Sequence, residues 1–516
     1  MAVEWTKEQR QVIELRNRNI LVSAAAGSGK TAVLVERIIK RITDEQHPVD
    51  VDRLLVVTFT NAAASEMRER IGDAIEAALE REPENHHLQR QQSLIHNAQI
   101  TTIDSFCLYI VRNYFHTIDL EPGFRIADEG ELALLKEQVL DEVLESFYEK
   151  SNEDFTSFME AFATAKSDRN VRSMILELFT TAQSNPWQSE WLDKLDEDYK
   201  KACESPDDSV WMQLALSDYR NSMEDVLREL QKAWNLTQEF DGPQMYAGAI
   251  KSDLELVETL CTKDTYADIV QALTELPAYA RLAAARGYDG SLQKQAQVKA
   301  AREQMKDTIQ KLREKIFFQS QSDLKASLCR QQPMVHVLLE LVRAFTEAYD
   351  KAKRKKSLVD FSDIEHFALD ILVNAKTKEP TPVAEEFRNF FEEVMIDEYQ
   401  DSNYLQEAIL SAVSKIQSGE PNMFMVGDVK QSIYRFRLAR PELFMEKYET
   451  YTKEDSPYQK IELHKNFRSR EGVLAAVNDI FYKIMGKDLG RVRYDGDAAL
   501  YPGADYPALK GEQESS

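Results

Sequence analysis

Residues 19–31 read NILVSAAAGSGKT, and this stretch decides the fold. An apolar run (Asn19 to Ser23) passes through a loop of small residues into TAVLVERIIKRI, whose apolar residues recur at helical spacing. Strand, small-residue loop and helix in that order form a phosphate-binding loop of the pattern G-x-x-x-x-G-K-[ST]. Ala24 stands where that pattern has its first glycine. The turn needs a small residue there rather than a bare Cα, so alanine fits if its φ is negative. The expected cradle is Ala24, Ala25, Ala26, Gly27, Ser28, Gly29, Lys30 and Thr31. Backbone N–H groups face phosphate oxygens, Lys30 reaches the β and γ phosphates, and the Thr31 hydroxyl ligates Mg²⁺.

Outward from the loop, two further β-branched runs, RLLVVTF (53–59) and AQITTID (98–104), alternate with helical patterns such as AAASEMRERI. Strands alternating with amphipathic helices predict a parallel sheet covered on both faces. From about residue 125 to 350 the texture changes. Only Gly242, Gly248, Gly287 and Gly290 follow Gly130, and patterns such as ELALLKEQVLDEVLESFYEK predict an all-helical block with turns near Asn185-Pro186, Ser205-Pro206, Gly242-Pro243 and Gly287 to Gly290. The α/β texture resumes near 357 with EEVMIDEYQD (392–401) and NMFMVGDVKQS (422–432), each a buried strand ending in polar residues. QKIELHKNF (459–467) reads as the beginning of another unit, and the tail GEQESS as disordered. The predicted organisation is a first lobe in two parts (1–120 and 351–460), a helical insertion (121–350), and an incomplete start of a second lobe (461–516).

Bulk composition narrows the function classes. The chain has 516 residues, 29% of them charged, and a formal net charge of −24. That balance excludes a generally basic surface, so any nucleic acid must bind in a local groove. Four cysteines without CxxC spacing suggest neither a disulfide framework nor a zinc site. No apolar run of membrane-spanning length and no signal-peptide core is present, and the expected location is cytoplasmic. The basic run KAKRKK (351–356) reads either as a phosphate contact or as a solvated linker.

A nucleotide-hydrolysing P-loop protein needs an acidic site at a neighbouring strand end. MIDEYQD supplies it. Val394, Met395 and Ile396 lead into Asp397, the expected Mg²⁺ anchor, and Glu398, placed to orient and deprotonate a water attacking the γ phosphate.

With these joined, eight ordered motifs can be compared with a family. They are TKEQRQVI (6–13), AAAGSGKT (24–31), VVTFTNAAASEMRERI (56–71), TTIDSFC (101–107), LVDFSDIEHFAL (358–369), IDEYQD (396–401), FMVGDVKQSIYRFRLA (424–439) and HKNFRSR (464–470). The chain resembles the UvrD-like, superfamily-one DNA helicases, and most closely the AddA-type helicase-nucleases among them, along nearly its whole length. That family also carries alanine at the position of Ala24. The resemblance implies two RecA-like lobes with ATP between them, 3′ to 5′ movement on single-stranded DNA, and a role in double-strand-break repair by recombination. It further implies duplex DNA ends as substrate and an AddB-like partner subunit.

Residue by residue, the resemblance makes Gln9 the amide that reads adenine and Phe467 the ring that stacks on it. Gln431 becomes the γ-phosphate sensor and Arg468 the arginine that stabilises the transferring phosphoryl group. Ala32 departs from the arginine that many relatives place against the base. The implied DNA contacts are Phe59, Thr60, Asn61, Thr102, Ser105, Phe106, Tyr434 and Phe436. The family's later motifs and its nuclease domain find no counterpart before Ser516. The reading is therefore an N-terminal portion of such a helicase-nuclease, with a module that binds ATP and DNA but hydrolyses little as the alternative.

Overall fold

A computed structural model describes residues 4–118, 120–150, 152–163, 167–416, 419–486, 494–496, 498–504 and 506. The chain divides into two compact units, Met1–Val143 with Leu176–Gln188 and Ala344–Ser516, and Leu144–Ile175 with Ser189–Arg343.

The first unit is built on a six-stranded sheet. In chain order its strands are β1 (Asn19–Ala24), β2 (Leu54–Thr58), β3 (Ile100–Thr102), β4 (Glu393–Ile396), β5 (Met423–Gly427) and β6 (Tyr458–Leu463). Their spatial order is β3-β2-β4-β5-β1-β6, and every pairing is parallel. β1, β2, β4 and β5 are apolar almost throughout, as expected of parallel strands buried on both faces. The strand period of two sorts their side chains between two cores. Ile20, Val22, Leu54, Val56, Met395, Phe424 and Val426 pack with the helices Lys30–Ile42 and Asn61–Arg81. The alternate residues Leu21, Leu55, Val57, Val394, Ile396, Met423 and Met425 pack with the helices Ile103–Tyr114, Phe361–Leu372 and Tyr404–Val413. The architecture is α/β with a parallel sheet, as the sequence predicted.

β6 corrects one expectation. The stretch read as opening another unit at 459 instead completes this sheet, running beside β1 with Asn19 opposite Tyr458 and Ala24 opposite Leu463. Its inward residues Ile461 and Leu463 join the same core as Ile20 and Val22. The two strands are joined by almost the whole length of the chain, so no local pattern could reveal their pairing. Beyond β6, Lys465–Asn466 pairs with Tyr501–Pro502, and a helix spans Glu471–Ile484. The tail GEQESS lies outside the described residues.

The basic run 351–356 is neither of the alternatives read for it. It is the last turn of the helix Gln321–Lys355, and Lys353 is buried there against Asp360 (3.2 Å) and Asp363 (2.5 Å). A buried ammonium held by carboxylates explains its place in that turn.

The second unit is helical. Val210–Gln238 buries Met212, Leu216, Tyr219, Met223, Val226, Leu230 and Ala233, a spacing of three and four that lines one face. Ile250 and Val257 from Ala247–Cys261, Ile269 and Leu273 from Tyr266–Thr274, and Val298, Met305 and Ile309 from Leu292–Lys315 close this core. The buried charge in it is matched, with Arg302 donating to both oxygens of Asp253 at 2.5 and 3.3 Å. No helix among the described residues is long and apolar enough to cross a membrane.

Candidate nucleotide and nucleic-acid site

In a parallel sheet every strand ends on the same edge. The register sets Ser23 opposite Gly427, Val57 opposite Ile396 and Ile396 opposite Met425. The residues following β1, β4 and β5 therefore meet at one rim.

The P-loop occupies the end of β1. Ala24 is the last residue of the strand, fully buried, and is not among the residues with positive φ. The glycine in the general pattern is thus dispensable here for the reason the sequence suggested. Left-handed backbone is required at Gly27 (φ 71°) and at Gly29 (φ 83°), which opens the helix Lys30–Ile42 without a side-chain cap. The helix start leaves N–H groups free to meet an anion. The loop is clamped from the far side by HKNFRSR. Ala25 N–H donates to Leu463 O (3.1 Å), Phe467 N–H to Gly27 O (2.8 Å), and Asn466 Nδ2 to Ala26 O (2.6 Å). A Cβ on Gly27 would stand 2.6 Å from Asn466 Nδ2, which fixes the second reason for glycine there. Asn466 escaped the sequence reading. Its Oδ1 also accepts the N–H groups of Arg468 and Ser469, an Asx turn that N-F-R-S permits but does not announce.

Beside the loop lies a cavity of about 310 Å³ lined by Gln9, Ser28, Leu463, His464, Lys465 and Phe467 among others. Gln9 is buried. Its Oε1 closes a capping box with Thr6, and its Nε2 donates to Ser28 O (3.1 Å). The two residues expected to hold a base thus share one pocket. Ala32 follows on the helix, and Arg468 approaches from the opposite side, its Cβ abutting Gly27.

The acidic pair follows β4. Lys30 Nζ sits 2.9 and 2.8 Å from the two carboxylate oxygens of Glu398. Glu398 has φ 52°, a left-handed conformation costly for a non-glycine residue. This bend turns its side chain to the P-loop. Burial, with Glu398 alongside, pushes the Asp397 carboxyl up to about 6, and the same causes push Asp401 up to about 7. One Asp401 oxygen, Oδ1, is buried without a hydrogen-bond partner among the described residues. Too little positive charge faces this cluster, and a hard cation fits such a deficit. Among the described residues no group of three or more His, Cys, Asp or Glu side chains could hold a metal alone. Mg²⁺ binds instead through one or two carboxylates plus substrate phosphates, and the half-buried Thr31 hydroxyl and Asp397 are the donors of that kind at this rim.

After β5, Asp428 is buried and receives Gln431 Nε2 (2.8 Å) and Lys430 Nζ (2.9 Å). Gln400, another residue that sequence reasoning missed, lies between this turn and Glu398. A buried glutamine between Tyr399 and Asp401 gives no signal of its own.

Of the expected DNA contacts, three aromatic rings converge. Phe59 and Tyr434 have centroids 4.5 Å apart and Tyr434 and Phe436 5.8 Å, while the Arg437 guanidinium lies 5.6, 5.5 and 5.8 Å from Phe59, Tyr434 and Phe436. Phe436 is 75% exposed. Thr60 caps the helix Asn61–Arg81 by accepting Ala63 N–H (3.1 Å), leaving Asn61 exposed, and Thr102 caps Ile103–Tyr114 through Ser105 N–H (3.3 Å). Ser105 is exposed, whereas Phe106 is a correction. Phe106 is fully buried, edge-on to Phe387 (5.9 Å) and Phe391 (6.0 Å), because it faces the sheet one residue past the exposed Ser105. It cannot stack on a base.

A parallel sheet carrying a P-loop at β1 and an acidic pair at β4 defines a P-loop nucleotide-binding protein with a RecA-like lobe. Residues 5–452 match the UvrD/REP helicase N-terminal domain, and the chain belongs to that family. Over 98% of its length it is 48% identical to the ATP-dependent helicase/nuclease AddA of Lachnoclostridium phytofermentans, of which it covers 37%. It is 43% identical to the protein of that name from Bacillus cereus (strain AH187) and 42% identical to that from Clostridium botulinum (strain Alaska E43), covering 41% of each. The chain thus spans about two fifths of the length of these curated relatives.

Proposed function

We propose that this chain is a motor portion of an ATP-dependent DNA helicase of helicase-nuclease type, moving 3′ to 5′ on single-stranded DNA in the repair of double-strand breaks by recombination. The name its relatives carry supports the helicase and nuclease assignment for the whole protein, and an AddB-like partner belongs to the same proposal. Within this chain the observation that carries it is the Lys30–Glu398 ion pair across the P-loop, beside Asp397.

ATP places its base in the pocket of Gln9 and Phe467 and its phosphates on residues 24–31. The incoming γ phosphate draws Lys30 from Glu398, freeing that carboxylate to take a proton from the attacking water. Mg²⁺, held by Thr31 and Asp397, supplies neutralising charge to the phosphates when bound. Gln431 senses the γ phosphate, and Arg468, whose Cβ abuts Gly27, stabilises the departing charge. Phe59, Tyr434 and Phe436 offer π faces for bases, with Arg437 adding a cation. Thr60, Asn61, Thr102 and Ser105 supply backbone contacts along the strand.

The test is the ATPase rate of the chain with and without single-stranded DNA, for wild type, Lys30→Ala and Glu398→Gln. DNA-stimulated turnover abolished by both substitutions supports a motor. Nucleotide binding without turnover in the wild type favours the second reading, a binding module.

A further inference from the structure

The amide of Gln400 joins two parts of the rim that lie on different strands. Gln400 is 1% exposed. Its Nε2 donates to Glu398 Oε2 (2.8 Å) and its Oε1 accepts the backbone N–H of Asp428 (3.0 Å). Gly427 makes this approach possible, since a Cβ there would collide with Gln400 Oε1. The short helical turn Tyr399–Asp401, entered through the left-handed Glu398, brings the amide beneath the glutamate that precedes it by two residues. On the other side Asp428 holds Gln431 through Oδ2 (2.8 Å). An unbroken path thus runs from Lys30 through Glu398, Gln400 and Asp428 to Gln431.

We infer that Gln400 is a positioning residue that ties the carboxylate of Glu398 to the Gly427–Gln431 turn, so that displacement of this turn resets the carboxylate.

The inference rests on the reading of Glu398 and Gln431 proposed above. Two donors hold Glu398 among the described residues, Lys30 and Gln400. A triphosphate competes for Lys30, and the hydrogen bond from Gln400 then fixes where the carboxylate stands. When the γ phosphate leaves, Gln431 and Asp428 shift together, and the amide transmits that shift to Glu398. Misplacing a catalytic group by an ångström costs on the order of 10²-fold in rate. A buried amide that merely fills space has no such consequence.

The experiment uses the 516-residue chain with Gln400→Leu, which removes both links, and Gln400→Glu, which keeps the acceptor for Asp428 N–H and removes the donor to Glu398. Four readouts are taken: melting temperature, affinity for a fluorescent ATP analogue, kcat and KM for ATP, and affinity for an oligothymidylate strand with and without a non-hydrolysable ATP analogue. Both variants are expected to hold nucleotide with little change in affinity or KM. They are expected to lose kcat on the order of 10-fold to 10²-fold and to lose the nucleotide-dependent change in oligothymidylate affinity. In Gln400→Glu the added carboxylate raises the proton affinity of Glu398 and moves the acidic limb of the kcat profile up by about one pH unit. If Gln400→Leu does not fold, Gln400→Glu decides by the same readouts. A folded variant with wild-type kcat and wild-type linkage overturns the inference and leaves the proposed function standing. A wild-type chain whose affinity for oligothymidylate ignores nucleotide overturns both.

Discussion

The two units of the chain treat buried charge in opposite ways. In the helical unit the buried carboxylate of Asp253 meets the Arg302 guanidinium along two hydrogen bonds, so the pair is neutral and geometrically complete. In the sheet unit, carboxylates accumulate at the rim without matching cations. Asp397 and Asp401 are pushed up to about 6 and 7 by burial and by Glu398, and near them Asp104 and Glu365 face each other, with burial and Asp104 pushing Glu365 up to about 8. Backbone strain follows the same division, with Gly27, Gly29 and Glu398 all at positive φ around one site. Unmatched charge and strain cost stability, and they persist where a ligand offsets them. A matched buried pair marks a scaffold.

The contrast can be broken by experiment, and the largest effect is expected at Glu398. Glu398→Gln should lower ATP turnover by on the order of 10²–10⁴-fold, with nucleotide affinity retained in a filter-binding or fluorescence assay. Equal loss of binding and turnover would mean that the glutamate only anchors Lys30. In the helical unit, Arg302→Ala should destabilise by about 3–5 kcal/mol by leaving Asp253 buried and unpaired, read by thermal or urea unfolding, and should leave nucleotide affinity unchanged. A change in nucleotide affinity at constant fold would erase the distinction between the two units.

The aromatic residues sharpen the comparison within the sheet unit. Phe106→Ala should cost about 3–5 kcal/mol of stability, whereas Phe436→Ala should leave stability within about 0.5 kcal/mol and weaken single-strand binding by about 1–3 kcal/mol. Equilibrium unfolding and anisotropy with an oligothymidylate strand separate the two. The smallest effect concerns pH. Metal binding needs the ionised form of Asp397, whose folded value near 6 lies above the ordinary aspartate value. Affinity for Mg²⁺-nucleotide should therefore fall by up to about tenfold per pH unit below 6, and Asp397→Asn should flatten that profile. Because the raised value means that the folded state holds the proton more tightly, the apo protein should gain stability from this group as pH drops from about 6 towards 4. Calorimetry across that window checks the sign.

Much of this was legible in the chain. The P-loop and the strand carrying Asp397 and Glu398 are local patterns, written in consecutive residues whose period and small side chains dictate their conformation. Gln9 and Phe467 entered by resemblance, and their common cavity is a fact of the fold. Phe106 misleads because an aromatic beside capping Thr102 and exposed Ser105 has the same sequence signature whether it faces solvent or the sheet. Helical phase against a distant partner decides that, and here Phe387 and Phe391 are the partners.

By itself the sequence determined the alternation of buried strands and helices, the phosphate loop and the acidic strand end, because each follows from steric and hydrophobic rules acting over a few residues. Only the tertiary structure decided that Tyr458–Leu463 is the sixth strand of the first sheet, that Asn466 clamps the loop, and that Gln400 spans from Glu398 to Asp428. These are pairings across large sequence separations or between neighbouring strand ends. Their free energy comes from hydrogen bonds and packing that exist only once the sheet has assembled.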